Sequence, residues 1–298
     1  MNVSSLKNSE VGLVDTAPAR SSHADTPWIV RSLWVGPPLS EMEWACFASF
    51  VKHGARFELF TDDLSRQVPE GVILRDCREV LGSEIPRYGP QAGERAGSYA
   101  IAGDVARVRT LVRDGGWWVD SDVVCLRSFA PIDKGMQFAW QDTPGSTSPL
   151  GSVNVAVIRL PPGTPIARLL ERRARMPWFG SPWESPKQRL RNFWRNKRTL
   201  ANPYNVWWGM SAGPDALTRA IHHFGLTSHV LPHEAFYPVH YSDWRAMLTK
   251  TDDDLASMAK DSYAIHLWAE MYRDVGLSKG EAVRRSPWAA SLLEGYRT

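Results

Sequence analysis

The sequence predicts an α/β chain built on a mainly parallel sheet, and three observations predict it. Short apolar runs alternate with stretches of helical periodicity, the order expected of strands joined by helices. The apolar run Trp117-Trp118-Val119 follows a double glycine and ends abruptly in Asp120 and Asp122, as a buried strand does when polar groups stand at its end. The length, 298 residues, is enough for one large α/β domain with a substantial core.

Residues 1–26 are rich in Ser, Ala and small polar residues without periodicity, and read as a flexible lead-in to a single domain over residues 27–298. A strand over 28–35 opens that domain. Ser40, with Glu43 three residues on, makes the capping box of a helix that stops before Gly54. Strands follow over 56–61 and 71–75. The Gly- and Pro-rich stretch 83–97 reads as a loop leading to a helix whose apolar stripe is Ile101, Val105, Val108 and Leu111 or Val112. Gly115 and Gly116 stop that helix. Beyond the central strand, strands are expected over 136–141 and 153–160, separated by a flexible loop. A helix over 165–175 precedes a basic, aromatic stretch over 176–208. Gly213-Pro214-Asp215 then starts a helix with Pro in its first turn. A strand over 227–231, a short helix over 251–260 with acids at its positive end, a strand over 262–267 and an amphipathic helix over 278–295 complete the chain.

The net charge of +3 and a pI near 8.8 are mildly basic and evenly spread, which argues against a nucleic-acid partner. Cys46, Cys77 and Cys125 show no metal-ligand spacing and suit a reducing compartment. No apolar run approaches a membrane span, and the start is too polar for a signal peptide. A cytoplasmic protein is expected, with peripheral contact at the inner face of a membrane. The 14 tryptophans are the compositional oddity. Some must fill the core, and aromatic faces also suit the apolar faces of sugar rings.

The chemistry concentrates in Asp104, Arg107 and the segment Gly-Gly-Trp-Trp-Val-Asp-Ser-Asp over 115–122. At the frayed end of a strand, two carboxylates one residue apart can turn toward one cation. Hard divalent ions such as Mn²⁺ or Mg²⁺ take oxygen ligands and bridge a carboxylate to a substrate phosphate. The reaction that needs this has a diphosphate leaving group whose charge must be neutralised. Taken alone, an Asp-x-Asp pair also occurs in solvated turns, and Asp104 with Arg107 could be a surface ion pair. Joined as helix, double glycine, apolar strand and acidic pair, they point to a metal-dependent transferase acting on a nucleotide-sugar.

Residues 102–126, AGDVARVRTLVRDGGWWVDSDVVCL, resemble the core of the Asp-x-Asp sugar-binding glycosyltransferases, family 32. That family includes yeast mannosyltransferases, bacterial capsule and lipopolysaccharide transferases and, more distantly, clostridial glucosylating toxins. Its pattern is Ser-Asp-x-x-Arg, a helix, then Gly-Gly-x-Tyr-x-Asp-x-Asp. Here Gly103 replaces Ser, removing a helix-start hydroxyl, and Trp118 replaces Tyr, keeping an aromatic. IVRSLWVG over 29–36, FELFTDD over 57–63, AIHLW over 264–268 and Gly213-Pro214 with Leu217 and Thr218 are similar to further family segments. The resemblance implies a GT-A-type fold with a mixed, mostly parallel sheet, and transfer of a hexose with retention from a UDP- or GDP-sugar to a glycan, lipid-linked or other hydroxyl acceptor. It implies that Asp104 and Arg107 hold donor hydroxyls, that Asp120 touches sugar or ribose and the metal, that Asp122 binds the metal, and that Trp34 borders the base.

Three further features carry two readings each. Asn154 is either a donor-site amide or a turn residue. His266, beside Trp268 in a His-x-Trp context, is either a core histidine or a ligand of Mn²⁺ or the diphosphate, with Trp268 at the donor site. Residues 176–208 mix Arg and Lys with aromatics, which suits an acceptor glycan or an anionic headgroup, or else a solvated helix with its stems packed down. Two other functions compete. A haloacid-dehalogenase-like phosphatase would use VDSDVV as its nucleophile loop, but would place it after the first strand. A non-catalytic carbohydrate-binding protein would need neither acid pair nor Arg107.

Overall fold

The computed structural model describes residues 28–207, 212–286, 290–291 and 294–295; the lead-in expected over 1–26 lies outside them. The strands are β1 (Ile29–Trp34), β2 (Arg56–Thr61), β3 (Ile73–Asp76), β4 (Gly116–Val119), β5 (Val123–Cys125), β6 (Phe138–Asp142), β7 (Ser152–Val153), β8 (Val157–Leu160), β9 (Val230–Leu231) and β10 (Ala264–His266). The helices are α1 (Glu41–Lys52), α2 (Arg78–Leu81), α3 (Ala100–Arg113), α4 (Pro165–Arg175), α5 (Pro186–Asn196), α6 (Pro214–His223), α7 (Ala246–Thr249), α8 (Asp252–Met258), α9 (Ala269–Asp274) and α10 (Lys279–Arg285).

The main sheet runs β3-β2-β1-β4-β8, with β8 antiparallel to β4 and every other pair parallel. It is the mixed, mostly parallel sheet with flanking helices that the sequence predicts. Because β1 lies between β2 and β4, the chain changes direction across the sheet at β1. Ligands of such sheets bind at the carboxyl ends of the strands beside this switch point. β5 leaves the main sheet to pair antiparallel with β10, and β6 pairs with β7 and β9.

Alternation along β4 explains two of the tryptophans. Neighbouring side chains on a strand face opposite ways, so Trp117 enters one core and Trp118 the other, both buried. The Trp117 side packs Phe47, Phe50 and Cys46 of α1 with Phe129 and Phe236. The Trp118 side packs Val105 and Val108 of α3 with Ile158, Leu169 and Leu217. Full burial of such side chains stabilises by roughly 1.5–3 kcal/mol each. The predicted α3 stripe of Ile101, Val105, Val108 and Leu111 is buried, and Ser40 and Glu43 form the predicted capping box on α1.

Several boundaries differ from expectation for identifiable reasons. The strand expected over 153–160 is broken, because the Asn154 side-chain oxygen accepts the Ala156 N–H at 2.7 Å and turns the chain. The strand expected over 227–231 shortens to β9 behind a 3₁₀ turn, and the one expected from residue 71 begins at Ile73, since Gly71 has φ +84°. Helix α3 starts at Ala100, so Gly103 lies within its first turn rather than at its start. The closing helix expected over 278–295 is interrupted after Arg285, with Ala290, Ser291 and Glu294 helical again among the described residues. Ser286 is extended (φ −97°, ψ 108°), as the residue before a proline is sterically driven to be.

Gly115 is where α3 hands over to β4, and its φ of +64° is left-handed. A Cβ there would stand 2.6 Å from Pro162 Cδ and 2.8 Å from the Leu160 carbonyl oxygen. Gly115→Ala should therefore destabilise the fold by about 2–4 kcal/mol in urea unfolding. Gly103→Ala is the contrasting case. It meets nothing within 4 Å on a regular helix and should stabilise by about 0.5–1 kcal/mol.

Candidate active site

A cavity of about 610 Å³ opens at the carboxyl ends of β1 and β4. Ser32 and Trp34 of β1 form one wall, Gly103, Asp104 and Arg107 of α3 a second, and Asp120 and Asp122 lie at the end of β4. The chain's C-terminal part closes it with Ala269, Glu270 and Lys279. Space of this size suits a ligand as large as a nucleotide with an attached ring.

Arg107 is only 5% exposed and bridges two acids. Its Nη1 donates to Asp104 Oδ1 at 2.7 Å and its Nη2 to Asp120 Oδ1 at 2.8 Å. The Trp118 indole N–H also donates to Asp120 Oδ1 at 2.8 Å, so the ring that replaces the family's Tyr holds the first acid of the pair. Tyr88 donates its hydroxyl to Asp104 Oδ2 at 3.3 Å. Burial pushes the Asp104 carboxyl up, and Arg107 opposes this without cancelling it. Burial also opposes charge on Arg107, but Asp120 and Asp104 outweigh it and hold the guanidinium charged. The geometry makes a rigid fork whose carboxylate and guanidinium edges face the cavity, suited to pairs of sugar hydroxyls.

Asp122 is held differently. His266 Nε2 meets its Oδ1 at 3.1 Å, and the Ala269 backbone N–H donates to its Oδ2 at 2.9 Å. Antiparallel pairing of β10 with β5 sets His266 against Val123, directly beside this acid. Trp268 has φ +54°, a costly conformation for a bulky residue. It is pinned there by its indole N–H, which donates to the Val239 carbonyl at 2.8 Å, and by its ring lying 4.1 Å from that of His266. The turn it makes presents the next N–H, that of Ala269, to Asp122.

Of the residues singled out in the sequence, the structure brings Trp34, Asp104, Arg107, Asp120 and Asp122 to one cavity. It places three others elsewhere. Trp268 is packed in the core beneath the site, not at a donor surface. Asn154 is buried with both ends of its amide used, toward Ala156 and toward Gln141 Oε1 at 2.7 Å. His266 lies behind Asp122, with its Nε2 engaged by that carboxylate and its Nδ1 buried without a partner among the described residues. Sequence reasoning missed Tyr88, Tyr99, Glu270 and Lys279. Lys279 had a readable signal: a cation in the first turn of a helix opposes the helix dipole and calls for a compensating anion. That anion is Glu43, fully buried in the α1 capping box, and the Lys279 Nζ also lies 4.9 Å from the Trp34 ring centroid.

Residues 194–286 match the alpha 1,4-glycosyltransferase conserved region, about a third of the chain. No curated protein matches the chain. Among solved structures, the PaToxG glycosyltransferase is similar at a TM-score of 0.42 and 16% identity, covering 91% of this chain and 88% of that one. The glycosyltransferase GlyE of Streptococcus pneumoniae TIGR4 is similar at 0.42 and 12% identity, over 91% of this chain and 63% of that one. The galactosyltransferase LgtC, solved with donor and acceptor sugar analogs, is similar at 0.39 and 12%, over 91% and 96%. The matched region supplies His266, Ala269 and Lys279, which meet the central Asp-x-Asp segment at Asp122 and the cavity wall. The chain is a glycosyltransferase. Its central segment resembles family 32, while its C-terminal part carries the alpha 1,4-glycosyltransferase region. The phosphatase alternative falls with this, and β1, β2 and β3 all precede the acidic pair.

The Asp122–His266 contact sets a pH dependence. Burial pushes the Asp122 carboxyl up, but His266, then Lys279 and the Ala269 N–H, outweigh it and hold it well below the usual carboxylate range. Burial pulls the His266 imidazole down, but the Asp122 carboxylate outweighs it and the net direction is up. The Asp122 share of stability is thus present above the ordinary carboxylate value and lost in acid. The His266 share is fully present below about pH 6.5, the ordinary imidazole value, and lost as pH rises through its elevated folded value. Urea unfolding in EDTA should therefore show a larger destabilisation from His266→Gln near pH 5.5 than near pH 9. An equal loss at both would mean that the imidazole is not charged in the fold.

Proposed function

We propose that the protein transfers a hexose, with retention, from a UDP- or GDP-sugar to a hydroxyl acceptor on a glycan or lipid-linked carrier, using Mn²⁺ or Mg²⁺, with residues 27–298 as the working unit in the cytoplasm. The observation that carries this reading is the Asp104–Arg107–Asp120 chain of hydrogen bonds standing beside Asp122 in one cavity. Asp104 and Arg107 seat the donor hydroxyls, and their mutual pairing removes the rotamer freedom that seating would otherwise cost. Trp34 borders the base, with its indole N–H fixed to the Pro37 carbonyl at 2.7 Å.

The residues present fit a hard cation. Among the described residues no hydrogen bond engages Asp120 Oδ2, and Asp122 faces the same cavity with one bond on each oxygen. No group of three or more Cys, His, Asp or Glu is gathered among the described residues, so the protein's donors are Asp120 and Asp122, and substrate oxygens and water complete the shell. When bound, the cation supplies charge neutralisation for the departing diphosphate. His266 serves it by orienting Asp122 and keeping that carboxylate ionised. Lys279 is the cavity's second cationic side chain besides Arg107 and is placed to take a diphosphate oxygen. Its tie to Glu43 keeps it at the wall. With oriented hydrogen bonds and fixed charges on the diphosphate, the site needs no side-chain nucleophile to lower the barrier.

The direct test is hydrolysis and transfer measured over a panel of nucleotide-sugars with and without Mn²⁺. Asp122→Asn should lower transfer by about 100-fold or more, because it removes a charged ligand, and should also lose the stability that the pair with His266 supplies. Full activity in EDTA would remove the metal from this reading.

Arg107→Lys should lower kcat/KM for both hydrolysis and transfer by roughly 10- to 100-fold, since an ammonium cannot span Asp104 and Asp120 as the guanidinium fork does. Unchanged turnover in Arg107→Lys and in Asp104→Asn would withdraw the donor map.

A further inference from the structure

Helix α5 is amphipathic the wrong way round for a helix packed on its own protein. No residue of it is buried. Its half-buried side carries Phe193 and two amides: Asn192 Nδ2 donates to Glu184 Oε1 at 3.0 Å, and Asn196 Nδ2 to the Pro177 carbonyl at 3.4 Å. Its outer side carries Leu190 and Trp194, one turn apart and 60% and 59% exposed. Lys187, Arg191, Arg195 and Arg198 flank them at helical spacing on that same side. On α5 itself Arg195 lies over the ring of exposed Trp207 at 5.9 Å, and Lys197 lies over the Trp194 ring at 4.9 Å. No acidic residue occurs between Ser185 and Pro214.

A helix in water gains by turning Leu and Trp inward and amides outward. The arrangement here is fixed instead by the Ser185–Gln188 capping box and the two asparagine bonds. Such a face gains only when another apolar phase covers it, and the ring of cations without acids selects that phase by charge. We propose that α5 docks this protein on an anionic lipid bilayer, with Leu190 and Trp194 in the headgroup–acyl boundary and the arginines and lysine reaching up to lipid phosphates. Tryptophan is favoured at that depth, and long cationic side chains bury their stems while keeping their charge at the phosphates. A lone helix with outward Leu offers RNA no stacking platform of several aromatic faces, so the bilayer fits the surface better. Among the described residues no helix is long and apolar enough to cross a membrane, and the contact proposed for α5 lies along the bilayer surface. The same segment is tied to the cavity wall: Gly89 N–H donates to the Tyr204 carbonyl at 2.9 Å, next to Tyr88, which lines the cavity. Gly89 permits this approach, since a Cβ there would meet Asn205 Cα at 2.8 Å. Docking through α5 thus places the donor cavity beside a surface that bears lipid-linked hydroxyls.

The experiment is co-sedimentation of the full chain with vesicles of phosphatidylcholine alone and of equal parts phosphatidylcholine and phosphatidylglycerol. Binding is expected to the anionic vesicles only, and to weaken with added salt. Leu190→Glu with Trp194→Glu should abolish it. Arg191→Gln and Arg198→Gln, both exposed and each expected to keep the wild-type melting temperature, should each weaken partitioning about fivefold. Absence of binding to anionic vesicles, or binding that these changes leave untouched, would overturn the proposal. So would tight binding of single-stranded RNA through the same residues in place of vesicles. The readout needs no transferase activity, so its failure and that of the donor-site reading are distinguishable.

Discussion

Arg107 is a fixed positive charge inside the protein, and a buried charge is tolerated only when it is paired and hydrogen-bonded. It is paired twice, to Asp104 on its own helix and to Asp120 at the end of β4. That double bond joins the helix to the strand end at the point where the sheet changes direction. Removing either acid leaves the guanidinium with one partner in place of two, so the three residues act as a unit. The positioning of the cavity wall and the orientation of the first acid of the pair both depend on this one guanidinium.

Asp122 depends on a different part of the chain. Its two oxygens are held by an imidazole and a backbone N–H that come from β10 and the turn after it, far away in sequence. The strained Trp268 is the hinge of that arrangement. A left-handed backbone costs of order 1–3 kcal/mol at such a residue and persists only when its surroundings over-determine it. Ring packing against His266 and the indole bond to Val239 supply that restraint. The tryptophan-rich composition therefore serves the site from behind. Trp117 and Trp118 anchor the strand, Trp118 and Trp268 orient acids or their partners, and Trp34 and Trp118 both reach the cavity wall.

The cavity lining carries an excess of acid, with Asp104, Asp120, Asp122 and Glu270 against Arg107 and Lys279. Asp104 and Asp120 are answered by Arg107, Asp122 by His266, and Glu43 by Lys279. An excess of carboxylates on the wall attracts a cation or a cation-bearing ligand more than a bare anion. Lys279 is tied by an ion pair to Glu43 of α1, a helix that shares a core with α10, and this holds it at the wall. The α5 surface is the opposite case, a concentration of one charge around exposed apolar groups, and it lies on the outside of the molecule.

Local patterns in the sequence determined much of this protein. Period-2 and period-3.6 runs, the Ser40–Glu43 box and the double glycine depend on neighbours a few residues apart, and β2, α1, α3 and α4 were legible from them, as were Asp104, Arg107, Asp120 and Asp122. Elements whose limits depend on a single side-chain bond or a local steric rule were less legible. Asn154 broke a strand by taking the Ala156 N–H, and Ser286 interrupted a helix before a proline. What only the tertiary structure decided was the direction of side chains between distant segments. The sequence could place His266 and Trp268 near the site as a pair, but whether an imidazole faces the cavity or the back of Asp122 depends on the register of β10 against β5. Lys279 came to the cavity through Glu43, a residue more than two hundred positions earlier, and Leu190 and Trp194 faced outward because Phe193 and two asparagines took the inner side. Each of those outcomes is a contact between residues that no local period relates, which is why the fold had to form before they could be read.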